Sequence, residues 1–199
     1  ISFSDKYFPN NSGIGGHRIT VEIIFEDLKI IYNDPRRFGF FQIIQDQISL
    51  NKRFSHLGVE PFDPKFNKNY IHLFFKKKEK NIKNFLLDQN FVSGIGNIYA
   101  SEILFLSKIN PTKKASKLTK NDCNKIAINS RKVLSNAIKK GGSSIRNFKN
   151  ISGNQGNFQK DFKVYEREGL ICKHSKCSGI IQKKFISNRS SFFCKTCQK

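Results

Sequence analysis

The sequence predicts an α+β chain in three parts: strands first, helices in the middle, and a metal-tied β-hairpin at the end. Three observations carry that prediction. β-Branched and aromatic runs fill residues 17–45, apolar residues recur at helical spacing from about 67 to 140, and four of the five cysteines lie after residue 171.

The strand region contains "HRITVEIIFEDLKIIYNDPRRFGFFQII", with turns expected at Glu26-Asp27 and at Asn33-Asp34-Pro35. The sixteen residues before it, with Pro9, Gly13, Gly15 and Gly16, read as a loop entering this sheet. "GVEPFDPKFNK" (58–68) carries prolines at 61 and 64 and reads as a linker over 59–66 between a first domain (1–58) and a helical one (67–150). Asn121 is placed to cap a helix in which Ile126, Val133, Leu134, Ala137 and Ile138 share a face, ending at Gly141-Gly142. "GGSSIRNFKNISGNQGNF" (141–158) is rich in Gly, Ser and Asn and reads as a loop. Residues 159–199 form a small β-rich piece around the cysteines.

Lys and Arg number 36 against 15 Asp and Glu, so the net charge is 36 − 15 = +21. A surplus of that size exceeds what solubility needs and points to a polyanion, nucleic acid ahead of an anionic membrane. No apolar run is long enough to span a bilayer. No signal peptide is evident, so the expected compartment is the cytoplasm. The sequence starts at Ile1 and contains no Met, which leads us to expect a preceding segment in the natural protein.

Three constellations carry chemistry. Cys172-x4-Cys177, sixteen residues, then Cys194-x2-Cys197 is the spacing of a four-thiolate zinc ribbon, with one structural Zn2+ and no open position for water. About forty residues hold too little core of their own, and metal binding supplies roughly 10–16 kcal/mol in comparable small domains. His174 lies inside the first knuckle and could replace a sulfur, but reads first as a solvated histidine, and Cys123 as a packing residue. The hairpin between the knuckles carries Lys183, Lys184 and Arg189, either a solvated basic surface or a rigid turn aiming Arg189 at a phosphate.

The second constellation is "FVSGIGNIYASEILF" (91–105), where Gly94-Ile95-Gly96 interrupts the helical pattern and Asn97 sits at an N-cap position. Free N–H groups at such a helix start suit a phosphate, although Gly-x-Gly also serves as a plain tight turn. The third is "NDPRRFGF" (33–40), in which Arg36, Arg37 and Phe38 protrude at or beside a turn. An exposed aromatic between arginines can wedge into a base stack; equally, Phe38 can pack inward with the arginines solvated.

Taken in order, these segments resemble the formamidopyrimidine-DNA glycosylases of bacteria. "DPRRFG" resembles that family's intercalation loop, "GIGNIYASEIL" its helix–two-turn–helix motif, "LGVEPFDPKFN" its interdomain segment, "GGSSIRNF" the start of its lesion-capping loop, and "CSGII" with "NRSSFFCKTCQ" its zinc finger. The resemblance runs from about residue 17 to 199. It implies a partial N-terminal β-sandwich, a helix–two-turn–helix domain and a zinc-ribbon hairpin.

The resemblance further implies excision of oxidised purines such as 8-oxoguanine and formamidopyrimidines from damaged double-stranded DNA by a monomer, with base flipping and Schiff-base lyase chemistry. On the matching positions, Phe38 would fill the stack beside the lesion and Arg36 would meet the orphaned cytosine. Asn97, Arg189 and Lys83 (from "NIKNFLLDQN") would clamp phosphates, Arg189 in support of catalysis, and the 141–158 loop would cover the extruded base. His17 would supply a phosphate contact, but a partner histidine two positions on is replaced by Ile19. The family's nucleophile is an N-terminal proline followed by glutamate, and no Pro-Glu pair occurs here.

Two other readings compete: an endonuclease VIII-type enzyme for oxidised pyrimidines, which "DPRRFG" argues against, and a non-catalytic zinc-ribbon nucleic-acid-binding module.

Overall fold

The computed structural model describes residues 2–5, 19–34, 40, 42–143 and 156–199. The chain divides into two compact units, residues 1–51 and 52–199.

In the first unit, β1 (Ser2–Asp5), β2 (Ile19–Ile24) and β3 (Lys29–Asp34) form an antiparallel sheet in that order. Residues 26–27 make the expected turn, closed by the Phe25 N–H donating to Leu28 O at 2.9 Å. Two expectations are corrected. Part of the expected entry loop is strand: β1 pairs along β2 from Ser2↔Ile24 to Asp5↔Val21. "SFSD" has weak strand propensity, so its ladder with β2 decides the conformation. Conversely, residues 40 and 42–45 carry no strand. They lead into α1 (Gln47–Phe54), whose start is capped by Asp46: Oδ1 accepts from the Ser49 N–H at 2.7 Å, and the Ser49 hydroxyl donates to Oδ2 at 2.8 Å.

The second unit is built on α2 (Lys68–Phe75), α3 (Ile82–Leu86), α4 (Asn97–Ser107) and α5 (Lys120–Lys139), followed by an antiparallel hairpin of β4 (Ile181–Ile186) and β5 (Arg189–Cys194). α4 is apolar nearly all round and sits in the middle, as such a helix must. It packs on α5, and its core includes Phe66, Phe75, Phe91, Ile95, Ile103, Leu104 and Ile126. Of the face assigned to α5, Ile126, Val133, Leu134 and Ala137 are buried, while Ile138 is exposed. The cap of α5 is Thr119 rather than Asn121. Its hydroxyl accepts from the Asp122 N–H at 3.1 Å and the Asp122 carboxylate accepts from the Thr119 N–H at 3.2 Å, a reciprocal pair unavailable to Asn121.

Residues 59–66, read as a linker, are held by the helices. The Arg131 guanidinium on α5 donates to Asp63 O and Phe66 O at 3.1 and 2.7 Å, Val59 bridges Val92, and Phe66 packs against Phe91. A ring cluster of Phe66, Tyr70, Phe74, Phe75, Phe85 and Phe91 fills this end, and the Tyr70 hydroxyl donates to Phe91 O at 2.7 Å.

Candidate nucleic-acid interface and metal centre

β4 and β5 pair from Ile181↔Cys194 to Ile186↔Arg189 around the turn Ser187-Asn188. Both turn residues are left-handed, with φ of 48° and 57°, the arrangement of a two-residue turn that matches strand twist. The register puts Arg189 first on β5 and Cys194 last.

The four thiols of Cys172, Cys177, Cys194 and Cys197 lie within 4.8 Å of one another, with Cys172–Cys197 and Cys177–Cys194 each at 3.7 Å. A metal–sulfur bond of about 2.3 Å in a tetrahedron requires sulfurs about 3.8 Å apart, so this set fits a four-coordinate ion. Burial works against ionisation of the Cys194 thiol, but the Cys197 and Thr196 N–H groups and neighbouring thiols hold it down at about 7. The His174 N–H donates to the Cys172 sulfur at 3.4 Å. Gly179 is required here, because a Cβ would overlap the Cys194 sulfur and the Thr196 side chain.

His174 is outside the thiol set and half-buried rather than solvated. Its ring packs 5.3 Å from that of Phe105, which accounts for the departure from expectation. Cys123 is buried in the helical core, and burial pushes its thiol up to about 11, as a packing residue should be.

The C-terminal residues are stitched to the loop after α4. The Gln198 side chain accepts from the Cys194 N–H at 2.8 Å and donates to Ile109 O at 2.8 Å, and the Lys199 N–H donates to Lys108 O at 3.2 Å. Cysteine knuckle and helical core are thereby one piece.

Two turns separate α3 from α4. Gly94 takes φ of +84°, and its N–H donates to the Gln89 side chain at 2.8 Å. Gly96, not Asn97, is the N-cap of α4. Asn97 starts the helix, and its amide instead donates to Ser190 O at 3.0 Å, across 93 residues of chain. That long-range bond takes the side chain away from the capping role expected for it.

Lys83 of α3 meets the same carbonyl. Its ammonium lies 3.1 Å from Ser190 O, 2.6 Å from Ser191 Oγ and 3.3 Å from Ser101 Oγ. The residue is 0% exposed, and its donors are engaged inside the protein, beneath β5. Burial, and then the nearby charge of Arg189, bring its pKa down to about 7. Arg189 itself is exposed.

Between about pH 7 and 10 the unfolded chain holds a proton on Lys83 that the folded chain has shed, so stability rises with pH through that window. Lys83→Met removes this rise. Urea unfolding should therefore show wild type gaining on the variant by on the order of 3 kcal/mol between pH 6.5 and 9.5.

Sequence reasoning missed Glu102. This buried carboxylate on α4 accepts from the Lys163, Val164 and Tyr165 N–H groups at 2.9–3.1 Å and so positions the chain entering the metal module. The available signal was one acid inside the apolar run "NIYASEILF", which has to find donors. Arg36, Phe38 and His17 lie outside the described residues, as does most of the 141–158 loop. The stems of that loop are joined by the Ser143–Asn157 bridge.

The profile described as the H2TH domain of formamidopyrimidine-DNA glycosylase matches residues 57–149, a span holding α2 to α5. A formamidopyrimidine-DNA glycosylase of Wolbachia pipientis subsp. Culex pipiens is 36% identical over 192 residues, 96% of this chain and 70% of the relative. The chain belongs to the formamidopyrimidine-DNA glycosylase family. The family member of Roseobacter denitrificans is 42% identical over 172 residues, 86% of this chain. The match spans only 61% of that relative's length. A solved structure of a mutant Lactococcus lactis Fpg in complex with Fapy-dG-containing DNA is 33% identical with a TM-score of 0.81, over 95% of this chain and 69% of that one. No helix among the described residues is long and apolar enough to cross a membrane.

Proposed function

We propose that this chain is the DNA-gripping part of a glycosylase/lyase that removes oxidised purines, 8-oxoguanine and formamidopyrimidines, from duplex DNA in the bacterial cytoplasm. One observation carries the reading. Residues from three distant segments, Lys83, Asn97 and Arg189, converge on the Ser190 end of the hairpin, two of them bonded to one carbonyl and the third exposed beside it. An exposed arginine on a strand tethered to the start of α4 suits a phosphate, and the net charge of +21 suits many of them.

In this reading Arg189 and Asn97 clamp the backbone around an extruded nucleotide, and Lys83 positions the strand that bears Arg189. Phe38, Arg36 and His17 act at the lesion on residues 1–58, segment 59–66 joins these to the helix–two-turn–helix part (67–150), and the loop starting near 141 covers the base. The metal of the 159–199 module is one structural zinc, held by Cys172, Cys177, Cys194 and Cys197. The protein acts as a monomer.

The nucleophilic proline of the family has no counterpart among these 199 residues, so the chain alone binds without cutting. The test is borohydride trapping on an 8-oxoguanine duplex. We expect no covalent capture by the chain alone, and capture once a family N-terminal segment opening with Pro-Glu is fused ahead of it. Capture by the unfused chain overturns the binding-only assignment. A fusion that binds damaged and intact duplex equally well overturns the repair assignment.

A further inference from the structure

One aromatic on the hairpin has no structural task. Phe185 of β4 is 68% exposed, while Ile181, on the same face, is 1% exposed. That face carries Ile181, Lys183 and Phe185 on β4, opposite Cys194, Phe192 and Ser190 on β5. Its metal end is packed on Phe105 and Val164, and its turn end is open.

The open part is continuous with the proposed DNA grip. The Asn97 amide lies beside Tyr165, whose ring meets that of Phe192 edge-on at 5.0 Å. The Lys183 ammonium lies 5.9 Å from the Phe192 ring and 5.6 Å from the Phe185 ring. Tyr165, Phe192, Lys183 and Phe185 thus form one run of aromatic and cationic groups that starts beside Asn97. Arg189 sits on the other face at the same turn, paired with Ile186.

We infer that Phe185 is a further DNA contact, packing flat against a deoxyribose or an unstacked base of a strand whose phosphates Lys183 meets on the same face. The inference rests on the proposed function and adds to it a contact that no charge accounts for. The chemistry favours a nucleic-acid strand over a peptide. Lys183 lies beside the ring and Arg189 at the same turn on the opposite face of the hairpin, both placed to meet phosphates, and every sugar or base offers the ring a flat apolar surface regardless of sequence. Edge cations without the ring would steer DNA but fix nothing along the strand.

The full chain has no tryptophan, so Phe185→Trp introduces a single tryptophan at the contact, excited selectively over the tyrosines at the red edge. Fluorescence anisotropy is measured with a duplex bearing a central abasic-site analogue, across a salt series. Phe185→Ala should bind about five- to tenfold more weakly with an unchanged salt slope, because no phosphate contact is lost. Lys183→Ala should lower the slope by about one. The emission from Phe185→Trp should be quenched on adding the duplex and shielded from iodide. Wild-type affinity in Phe185→Ala, or unmoved and unshielded emission from Phe185→Trp, overturns the contact while leaving the proposed function standing. Absence of duplex binding by the wild-type chain overturns both.

Discussion

Removal of the proposed zinc from the four cysteines is expected to unfold residues 170–199 while α2 to α5 stay folded. The hairpin's own cluster comprises only Phe105, Val164, Cys172, Ile181, Phe192 and Cys194, and one of these belongs to α4. A two-stranded hairpin with so small a core is marginal in water. A structural ion supplying roughly 10–16 kcal/mol then outweighs everything else that holds the hairpin folded. The helical core has its own aromatic and aliphatic filling and does not depend on the ion.

The loss should propagate. With the strands gone, Ser190 O and Ser191 Oγ leave Lys83, Asn97 loses its acceptor, and the Gln198 tether to Ile109 opens. Hydrogen exchange with and without chelator measures this directly. Protection in 181–198 should collapse, protection in 97–139 should persist, and duplex affinity should fall by at least a hundredfold because Arg189 is no longer aimed. Cys177→Ser should do the same without chelator. Retained protection at 181–198 in metal-free protein would show that side-chain packing alone holds the hairpin.

What could be read from the sequence was local. The thiolate set follows from Cys-x4-Cys and Cys-x2-Cys spacing, because each knuckle is closed by neighbours in the chain. The α5 stripe of Ile126, Val133, Leu134 and Ala137 follows from helical period, and only exposed Ile138 at the last turn escapes it. The capping box of α5 was also available in "TKND", and choosing Asn121 overlooked the reciprocal acid at Asp122. β1 was out of reach, since "SFSD" becomes a strand through pairing with β2 rather than through its own composition. α1 lacks a buried face that would have marked it. The grip itself could be suspected at Asn97 and Arg189. That Lys83 is enclosed and serves the strand from below depends on a contact 107 residues away, which no local pattern encodes.

The same blindness hid Glu102, and its replacement should be among the costliest single changes in this chain. Burial pushes the Glu102 carboxyl up, while the Tyr165, Val164 and Lys163 N–H groups pull against that. With its oxygens surrounded by donors, the group functions as an acceptor. Glu102→Ala removes every acceptor at once, leaving the buried Val164 N–H and its neighbours unpaired around a cavity. The expected loss is about 3–5 kcal/mol in urea unfolding. Glu102→Gln keeps the shape and one acceptor oxygen but turns an NH2 toward N–H donors, so it should lose less, about 1–2 kcal/mol. The ordering separates mechanisms: a simple packing role would make Gln nearly silent. Because Tyr165 leads from this anchor to Phe192 and lies beside Asn97, Glu102→Ala should also weaken duplex binding at temperatures where the chain is still folded. Full affinity in a folded Glu102→Ala protein would separate the anchor from the grip and leave Glu102 to stability alone.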